Sequence, residues 1–535
     1  MFLDPKRALN ESLAMIDPIA VSGNSAAEEV WTQRKIMKPS NLLIFLTIIC
    51  AIVAATFDAH SADKPNILFI YTDDQSDRTV SSYERAPSWV DTPNIDRLAA
   101  SGVRFKHAYN GTWCMPARAT FLTGKHQYGV ESMRMEGAYP GSTYDPEKTP
   151  FWMRSFKEAG YTTAHIGKWH TGVDTGYGRD WDYQIVWNRP KFPKNSGNYY
   201  DNQLISFNGG EAQMTKGYST TNYTKWAQDY LKGEGRDEKK PWLLWLCYAG
   251  SHGPFTPAPR HVDSIDESIE IPFPPDFHGP RPGKPLYVKK REAWKLAQDG
   301  KYYTQRPPKG GEFQESSRRY QETVMSLDEA VGQLIETLKE TNQFENTLIV
   351  FTSDQGFAWG QHGFQHKIAP YDANISSPLV ISFPGRVPEG KVCGTPVGGQ
   401  DLVPTLFKFA HVELPWEMHG RDITPLLQNP EANSDHSVLI AYTARIYGSE
   451  TRDLSQSTDE GSNIPWWVSY RKHNYKFIKN MLPGEIEELY DINSDPEELI
   501  NLAFYPEYRD ELKQLKREML AELRRTDSPF VDQIN

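Results

Sequence analysis

The sequence predicts an α/β fold: a large, mostly parallel central sheet sandwiched by helices. Three observations predict it. Short apolar runs without polar alternation recur along the chain, as strands buried on both faces require. Amphipathic stripes at three- and four-residue steps lie between them. The 535 residues allow one large domain or two to three smaller ones.

In chain order, Ile67–Tyr71 reads as the first buried strand. A helix start is expected at Cys114, ahead of Ala119-Thr120-Phe121-Leu122. Lys168, Trp169 and His170 alternate, so on a strand Lys168 and His170 share a face. Trp242–Tyr248 is the next strand. Val324, Leu327, Val331, Leu334, Ile335 and Leu338 form a helical stripe. Leu348–Phe351 and Pro378–Phe383 return to strand, and Leu512, Leu515, Met519 and Leu523 mark a last amphipathic helix.

Composition is that of a globular chain, with 39% hydrophobic and 24% charged residues, which excludes collagen-like and wholly disordered classes. A net charge of −11 argues against a nucleic-acid-binding chain. Four cysteines in this length cannot form a disulfide scaffold. Cys247 reads as a core thiol and Cys393 as a loop residue, and a bridge between them stays open. Residues 281–309 hold nine Lys/Arg against Glu292 and Asp299, a local +7 that reads as a surface insertion touching a polyanion or simply solvated.

The single long apolar run is Leu42–Thr56. Fifteen residues after Met37-Lys38, followed by Ala59, Ser61 and Ala62, suit an export signal better than a membrane span. The expected organisation is an over-extended leader over 1–36, a signal peptide over 37–62, a catalytic domain over 63–430 and a C-terminal subdomain over 431–535. The protein is therefore expected to be exported, to the periplasm or beyond, with no stable membrane association after signal removal.

Ligands of open α/β sheets sit beyond the carboxyl ends of strands. Asp73-Asp74 follows the first strand, His252 the Trp242 run, and Asp354-Gln355 the Leu348 run. Any one of these is ordinarily a cap or turn residue. Three together suggest a site. Adjacent carboxylates repel, and a hard cation removes that penalty. Asp73, Asp74, Asp354 and the Gln355 amide make an all-oxygen set suited to Ca²⁺ or Mg²⁺. Cys114 with Arg118, at a helix amino terminus, suits an anionic ester. Gly160–His170 is not a phosphate-binding P-loop, because its glycine spacing is wrong and Trp169 follows Lys168. His126 and His165 read as structural. His362 and His366 are ambiguous. Trp181, Trp187, Tyr199 and Tyr200 suit core packing or sugar stacking.

These residues resemble the formylglycine-dependent (type I) sulfatases of the alkaline phosphatase superfamily. Cys114-Met115-Pro116-Ala117-Arg118 is similar to the family's maturation signature, and Gly160-Tyr161-x-Thr163 followed by Gly167-Lys168-x-His170 to its second. Thr352–Gly356, Asp401-x-x-Pro404-Thr405 and Glu488–Asp491 follow in family order, over about Lys64 to Leu523. Ala117 stands where Ser is commonest, and Gln355 where Asn or His is also common.

The resemblance implies an alkaline-phosphatase-like sheet and a smaller α+β subdomain with an antiparallel sheet. It implies that Cys114 is oxidised by a maturation enzyme to formylglycine, whose hydrate attacks the sulfate ester and then expels sulfate. One cation, Ca²⁺ before Mg²⁺, would be held by Asp73, Asp74, residue 114, Asp354 and Gln355. Arg118 and Lys168 would stabilise charge, His170 would be the base, and His252 and Lys367 would serve the leaving alcohol. The expected substrate is a sulfated small molecule or polysaccharide. The alternatives are a phosphate or phosphonate monoester hydrolase of the same superfamily, or a binding protein without catalysis.

Overall fold

The computed structural model describes residues 64–133, 144–304, 311–457 and 463–534. The leader and export signal expected over 1–62 lie outside these residues, as do Arg306 and Lys309 of the basic segment.

A ten-stranded sheet forms the centre. In chain order its strands are β1 (Asn66–Thr72), β2 (Val103–Phe105), β3 (Thr162–Trp169), β4 (Tyr183–Asn188), β5 (Gln203–Phe207), β6 (Gln213–Thr215), β7 (Trp242–Cys247), β8 (Thr347–Ser353), β9 (Leu379–Ser382) and β10 (Lys391–Cys393). In space they lie in the order β10-β2-β9-β8-β1-β7-β3-β4-β5-β6. From β8 to β4 the middle strands run parallel. The flanks are mixed: β9, β5 and β6 join by antiparallel pairing. The sheet is thus parallel where it is covered on both faces. The antiparallel flanks differ in cover: β9 stays fully buried between β8 and β2, whereas Gln213 and Met214 of β6 meet solvent.

Side chains alternate along the middle strands. Ile67, Phe69 and Tyr71 of β1 enter one apolar layer, and Leu68 and Ile70 the other. Helices α1 (Pro93–Ala100), α3 (Ser219–Leu231) and α4 (Phe313–Glu340) cover one face, through Leu98, Tyr223 and Leu327 among others. Helices α2 (Cys114–Thr123) and α5 (Gly399–Ala410) cover the opposite face through Phe121 and Phe407. The α4 stripe is buried as its spacing requires, with only Ile335 half-exposed. Register sets the site. Tyr71 pairs with Cys247 and Thr72 with Ser353, so the residues after β1, β7 and β8 emerge at one sheet edge.

A second, antiparallel sheet follows: β11 (Ser437–Tyr442), β12 (Trp467–Lys472), β13 (Tyr475–Asn480) and β14 (Glu488–Asp491). Helix α6 (Arg509–Arg525) covers it through Leu515, Met519 and Leu523. Buried Asp372 ties this sheet to the rest: it meets Lys476 at 2.9 Å, Arg471 at 3.2 Å and Arg85 at 3.3 Å.

Two expectations change. Residues 281–304 are not wholly a surface insertion. The Arg281 guanidinium is buried and donates to the carbonyls of Phe277, Val288 and Arg291. Lys284 is buried between the Tyr371 and Tyr490 rings, 4.1 and 4.3 Å from their centroids. Carbonyls and ring faces replace water around both charges, so they anchor the segment. Lys289, Lys290, Lys295 and Lys301 stay exposed. Cys393 lies in β10 rather than in a loop, and Cys247 and Cys393 are both free thiols. Five strand spacings separate their strands, roughly 24 Å, far beyond the ~7 Å Cα reach of a disulfide.

Candidate active site

The parallel strands deliver their charged residues to one place. Asp73 and Asp74 leave β1, Asp354 and Gln355 leave β8, Lys168 ends β3, and His252 follows β7. Asp74 adopts φ +58°, a left-handed conformation that Asp tolerates well. Its N–H donates to Asp354 Oδ1 at 3.0 Å, while the Asp73 N–H donates to the Gly250 carbonyl at 2.9 Å. This sharp turn brings three carboxylates together.

Cys114 opens α2, whose ten residues are all buried. Its Sγ donates toward Asp73 Oδ1 at 3.2 Å and Asp74 Oδ1 at 3.8 Å. Lys367 Nζ lies 3.1 Å from the same sulfur and bridges both Asp74 oxygens at 2.6 and 2.8 Å. Lys168 Nζ pairs with Asp73. Arg118 pairs with Asp354 at 3.0 Å. Three carboxylates thus face three cations in a water-poor pocket.

His252 Nε2 stands 3.5 Å from Asp74 Oδ2 and 3.1 Å from the Tyr199 hydroxyl. Its ring lies parallel to Tyr199, centroids 3.9 Å apart. His170 lies against Arg189, with Nη1 3.0 Å from Nε2. The two site histidines therefore rest on partners that hold their rings in place. His126 and His165 are buried in aromatic surroundings away from these strand ends.

The electrostatics follow from burial and neighbours. Burial pushes the Asp354 carboxyl up to about 7, and the Asp73 charge adds to it. Burial also raises Asp74 against the pull of Lys367. Burial works the same way on Asp73, but Lys168, His252, Arg118 and Lys367 together outweigh it and hold that carboxyl well below the usual range. The Cys114 thiol is pushed up to about 12 by burial, with Asp73 adding. His170 and His252 are held well below the usual imidazole range by burial first, then by Arg189 and Lys367 respectively.

The residues fit a hard divalent cation. Asp73, Asp74, Cys114 and His252 offer ligand atoms within 4.8 Å of one another. Gln355 directs its Nε2 at Asp74 and leaves its buried Oε1 without a partner. Exchanging the two amide atoms turns that oxygen toward the carboxylates. Asp73, Asp74, Asp354 and Gln355 would then present oxygens around residue 114, a donor type that suits Ca²⁺ or Mg²⁺, with the His252 nitrogen beside them.

All the residues expected to act in the site are thus gathered at these strand ends, with His170 held at its side by Arg189. The sequence reading did not foresee three others. Arg189 follows β4, which Gln184 and Asn188 hide from an apolar-run search. Tyr199 packs in the core against Trp187 as expected, but its stacking on His252 was not foreseen. Tyr320, inside α4, donates its hydroxyl to the Asp74 carbonyl at 2.6 Å.

Residues 65–412 match the sulfatase family, and residues 360–526 match the family described as N-sulphoglucosamine sulphohydrolase, C-terminal. An N-acetylglucosamine-6-O-sulfatase of Bacteroides thetaiotaomicron is 28% identical over 530 residues, covering 89% of each chain. A solved structure described as a complex with its substrate D-glucosamine-2-N,6-O-disulfate has a TM-score of 0.71 at 24% identity, covering 87% of this chain and 98% of that one. A phosphonate monoester hydrolase of Agrobacterium radiobacter shares the fold at TM-score 0.63 and 21% identity, covering 86% of this chain and 96% of its own. The first family match spans well over half of the chain, and it includes the cysteine, the carboxylates and both lysines of the site. The chain belongs to the sulfatase family.

Proposed function

We propose that this sulfatase hydrolyses sulfate esters of a carbohydrate, using formylglycine made from Cys114 and one divalent cation, Ca²⁺ before Mg²⁺ as the family resemblance implies. The position of Cys114 carries this reading. Its Sγ stands 3.2 Å from Asp73 and 3.1 Å from Lys367, at the first residue of a buried helix.

Asp73, Asp74, Asp354 and Gln355 would hold the cation. When present, formylglycine and the cation supply a hydrated aldehyde as nucleophile and a Lewis acid for the ester oxygens. The rest belongs to the chain itself. The first N–H groups of α2 face an anion brought to residue 114. Arg118 and Lys168, fully buried, hold fixed positive charge beneath it. Lys367 sits beside the sulfur on the solvent side, 14% exposed. His252, kept flat on Tyr199, and Lys367 are assigned to the leaving sugar oxygen. Lys367 supplies positive charge, and His252, neutral before the anionic ester binds, serves as a hydrogen-bonding group. His170, kept neutral next to Arg189, is the assigned base.

The Bacteroides relative is named for a sulfated amino sugar, which supports a carbohydrate ester as substrate. The apolar run Leu42–Thr56 supports export. Among the described residues no helix is long and apolar enough to cross a membrane.

The test is anion release by protein whose residue 114 has been read by mass spectrometry. Sulfate and phosphate are quantified from sulfated glycans, aryl sulfates and phosphate esters, with Cys114→Ala as control. Sulfate release that vanishes in the control is the expected result. Phosphate release without sulfate overturns it in favour of a monoester hydrolase of the same fold. Silence from aldehyde-bearing protein on every ester overturns it in favour of a binding role.

A further inference from the structure

A cavity of about 430 Å³ opens beside residue 114, in the size range of small-ligand sites. Asp74, His252 and Lys367 form part of its lining. Phe255 and Phe357 add two rings, 5.6 Å apart and nearly perpendicular. Glu315 and Arg319, one turn apart on α4, complete the part used below.

Arg319 is the unusual member. Its Nε donates to Glu315 Oε1 at 2.9 Å. That bond uses the inner edge of the guanidinium, and among the described residues neither terminal nitrogen has a hydrogen-bond partner. Arginine's outer edge presents two parallel N–H groups, the arrangement that fits a carboxylate or a sulfate. The side chain of Arg319 is 43% exposed, whereas that of Lys367 is 14% exposed. The cavity therefore has an inner cation at the reacting centre and an outer one at the rim. Aromatic rings line the space between, and an apolar wall suits the face of a sugar ring.

We propose that Arg319 reads a second anionic group on the substrate, a sulfate or carboxylate carried by the same sugar or its neighbour. The assignment rests on the sulfatase reading of the site above. Glu315 is a positioning residue here: it engages Arg319 through Nε and leaves the terminal nitrogens for a ligand in the cavity that both residues line. A singly sulfated ester would reach Lys367 without meeting Arg319. A doubly charged one would span both.

The experiment compares a monosulfated hexosamine with the same sugar carrying a second sulfate, in the wild type and in Arg319→Gln and Arg319→Lys. Arg319 is on an exposed helix face, so both variants should fold. The ratio of kcat/KM for the doubly over the singly charged sugar is the readout. It should fall 10- to 100-fold in Arg319→Gln, through KM and not kcat. Arg319→Lys should recover only part of it, because an ammonium cannot bind bidentately. Glu315→Gln should lower the ratio less than Arg319→Gln does. An unchanged ratio in Arg319→Gln, with the wild type releasing sulfate from both sugars, overturns the assignment and leaves the sulfatase reading standing. No sulfate release by the wild type from either sugar or from an aryl sulfate overturns both.

Discussion

The indole Nε1 of Trp467 donates to the carbonyl of Ile368 at 2.9 Å, one residue beyond the lysine that bridges Asp74. Trp467 opens β12 of the C-terminal sheet, and the bond crosses to the loop that carries Lys367. That loop is strained. His366 has φ +87° and Ile368 has φ +90°, a region that a β-branched residue rarely enters. Asn374 Nδ2 grips the His366 carbonyl at 2.5 Å from the other side. The backbone on both sides of Lys367 is thus fixed by side chains from elsewhere. The C-terminal sheet is part of how the site is built.

Trp467→Phe keeps a ring and removes the donor. It should lower stability by about 1 kcal/mol and kcat on the order of tenfold, through misplacement of Lys367. Ile368→Gly relieves the strained φ, worth about 1–3 kcal/mol, and should slow turnover without lowering Tm. Paired kcat and Tm measurements separate placement from simple loss of fold. Wild-type kcat in both variants would mean that the clamp does not govern Lys367.

Among the described residues the exposed lysines of the basic segment are Lys289, Lys290, Lys295 and Lys301, while Arg281 and Lys284 are anchors. Charge reversal at Lys289, Lys290 and Lys301 should therefore raise KM for a sulfated polymer on the order of tenfold at low salt. The change for a small aryl sulfate should be far smaller, and the polymer effect should shrink as salt rises. Equal changes for polymer and aryl sulfate would remove the polymer contact. Lys284→Ala should behave differently, lowering Tm and expression, because it empties a buried cation site between two tyrosine rings.

The sequence made the strand ends legible where a strand is one unbroken apolar run. Asp73, Asp74, His252, Asp354 and Gln355 all follow such runs, and parallel register carries them to the same edge. Cys114 and Arg118 were legible through helix geometry and their family motif. Arg189 was not, because Gln184 and Asn188 interrupt its strand. Tyr199 and Tyr320 were not, because an aromatic residue's partner is a matter of tertiary packing. Arg281 and Lys284 misled for the opposite reason: charge suggests solvent, and only the fold shows the carbonyls and rings that enclose them. The short antiparallel edges of the sheet, such as Gln213–Thr215, carry too few residues to register as strands.

Cation binding should be visible without turnover. Adding Ca²⁺ at a hundredfold excess over its Kd should stabilise the fold by about 2.7 kcal/mol, read as a rise in Tm that a chelator reverses. Asp74→Asn should abolish the rise. Gln355→Ala should weaken it, since the amide oxygen is one of the proposed donors. A Tm indifferent to both Ca²⁺ and chelator would argue against a cation at these carboxylates.

Asp401 carries a pH signature outside the active site. It lies in the first turn of α5 and is almost fully buried. Its Oδ2 accepts the Gly398 N–H at 2.8 Å and lies 3.0 Å from His436 Nε2, and its Oδ1 accepts the Arg421 N–H at 2.8 Å. Burial alone would raise this carboxyl, but His436 and the two N–H donors outweigh it and hold it below the usual range. A carboxyl depressed in the folded state stabilises the fold at every pH above its unfolded value, ~3.9. That stabilisation is lost as pH falls through the folded value. Asp401→Asn cannot carry the charge, so it should be less stable by about 1.5–3 kcal/mol at pH 7. The gap should narrow steadily below about pH 4 as the wild-type carboxyl takes up its proton. Urea unfolding of both proteins at a series of pH values from 7 downward measures it. A gap that stays constant across the series would mean that packing, and not the charge, is what Asp401 contributes.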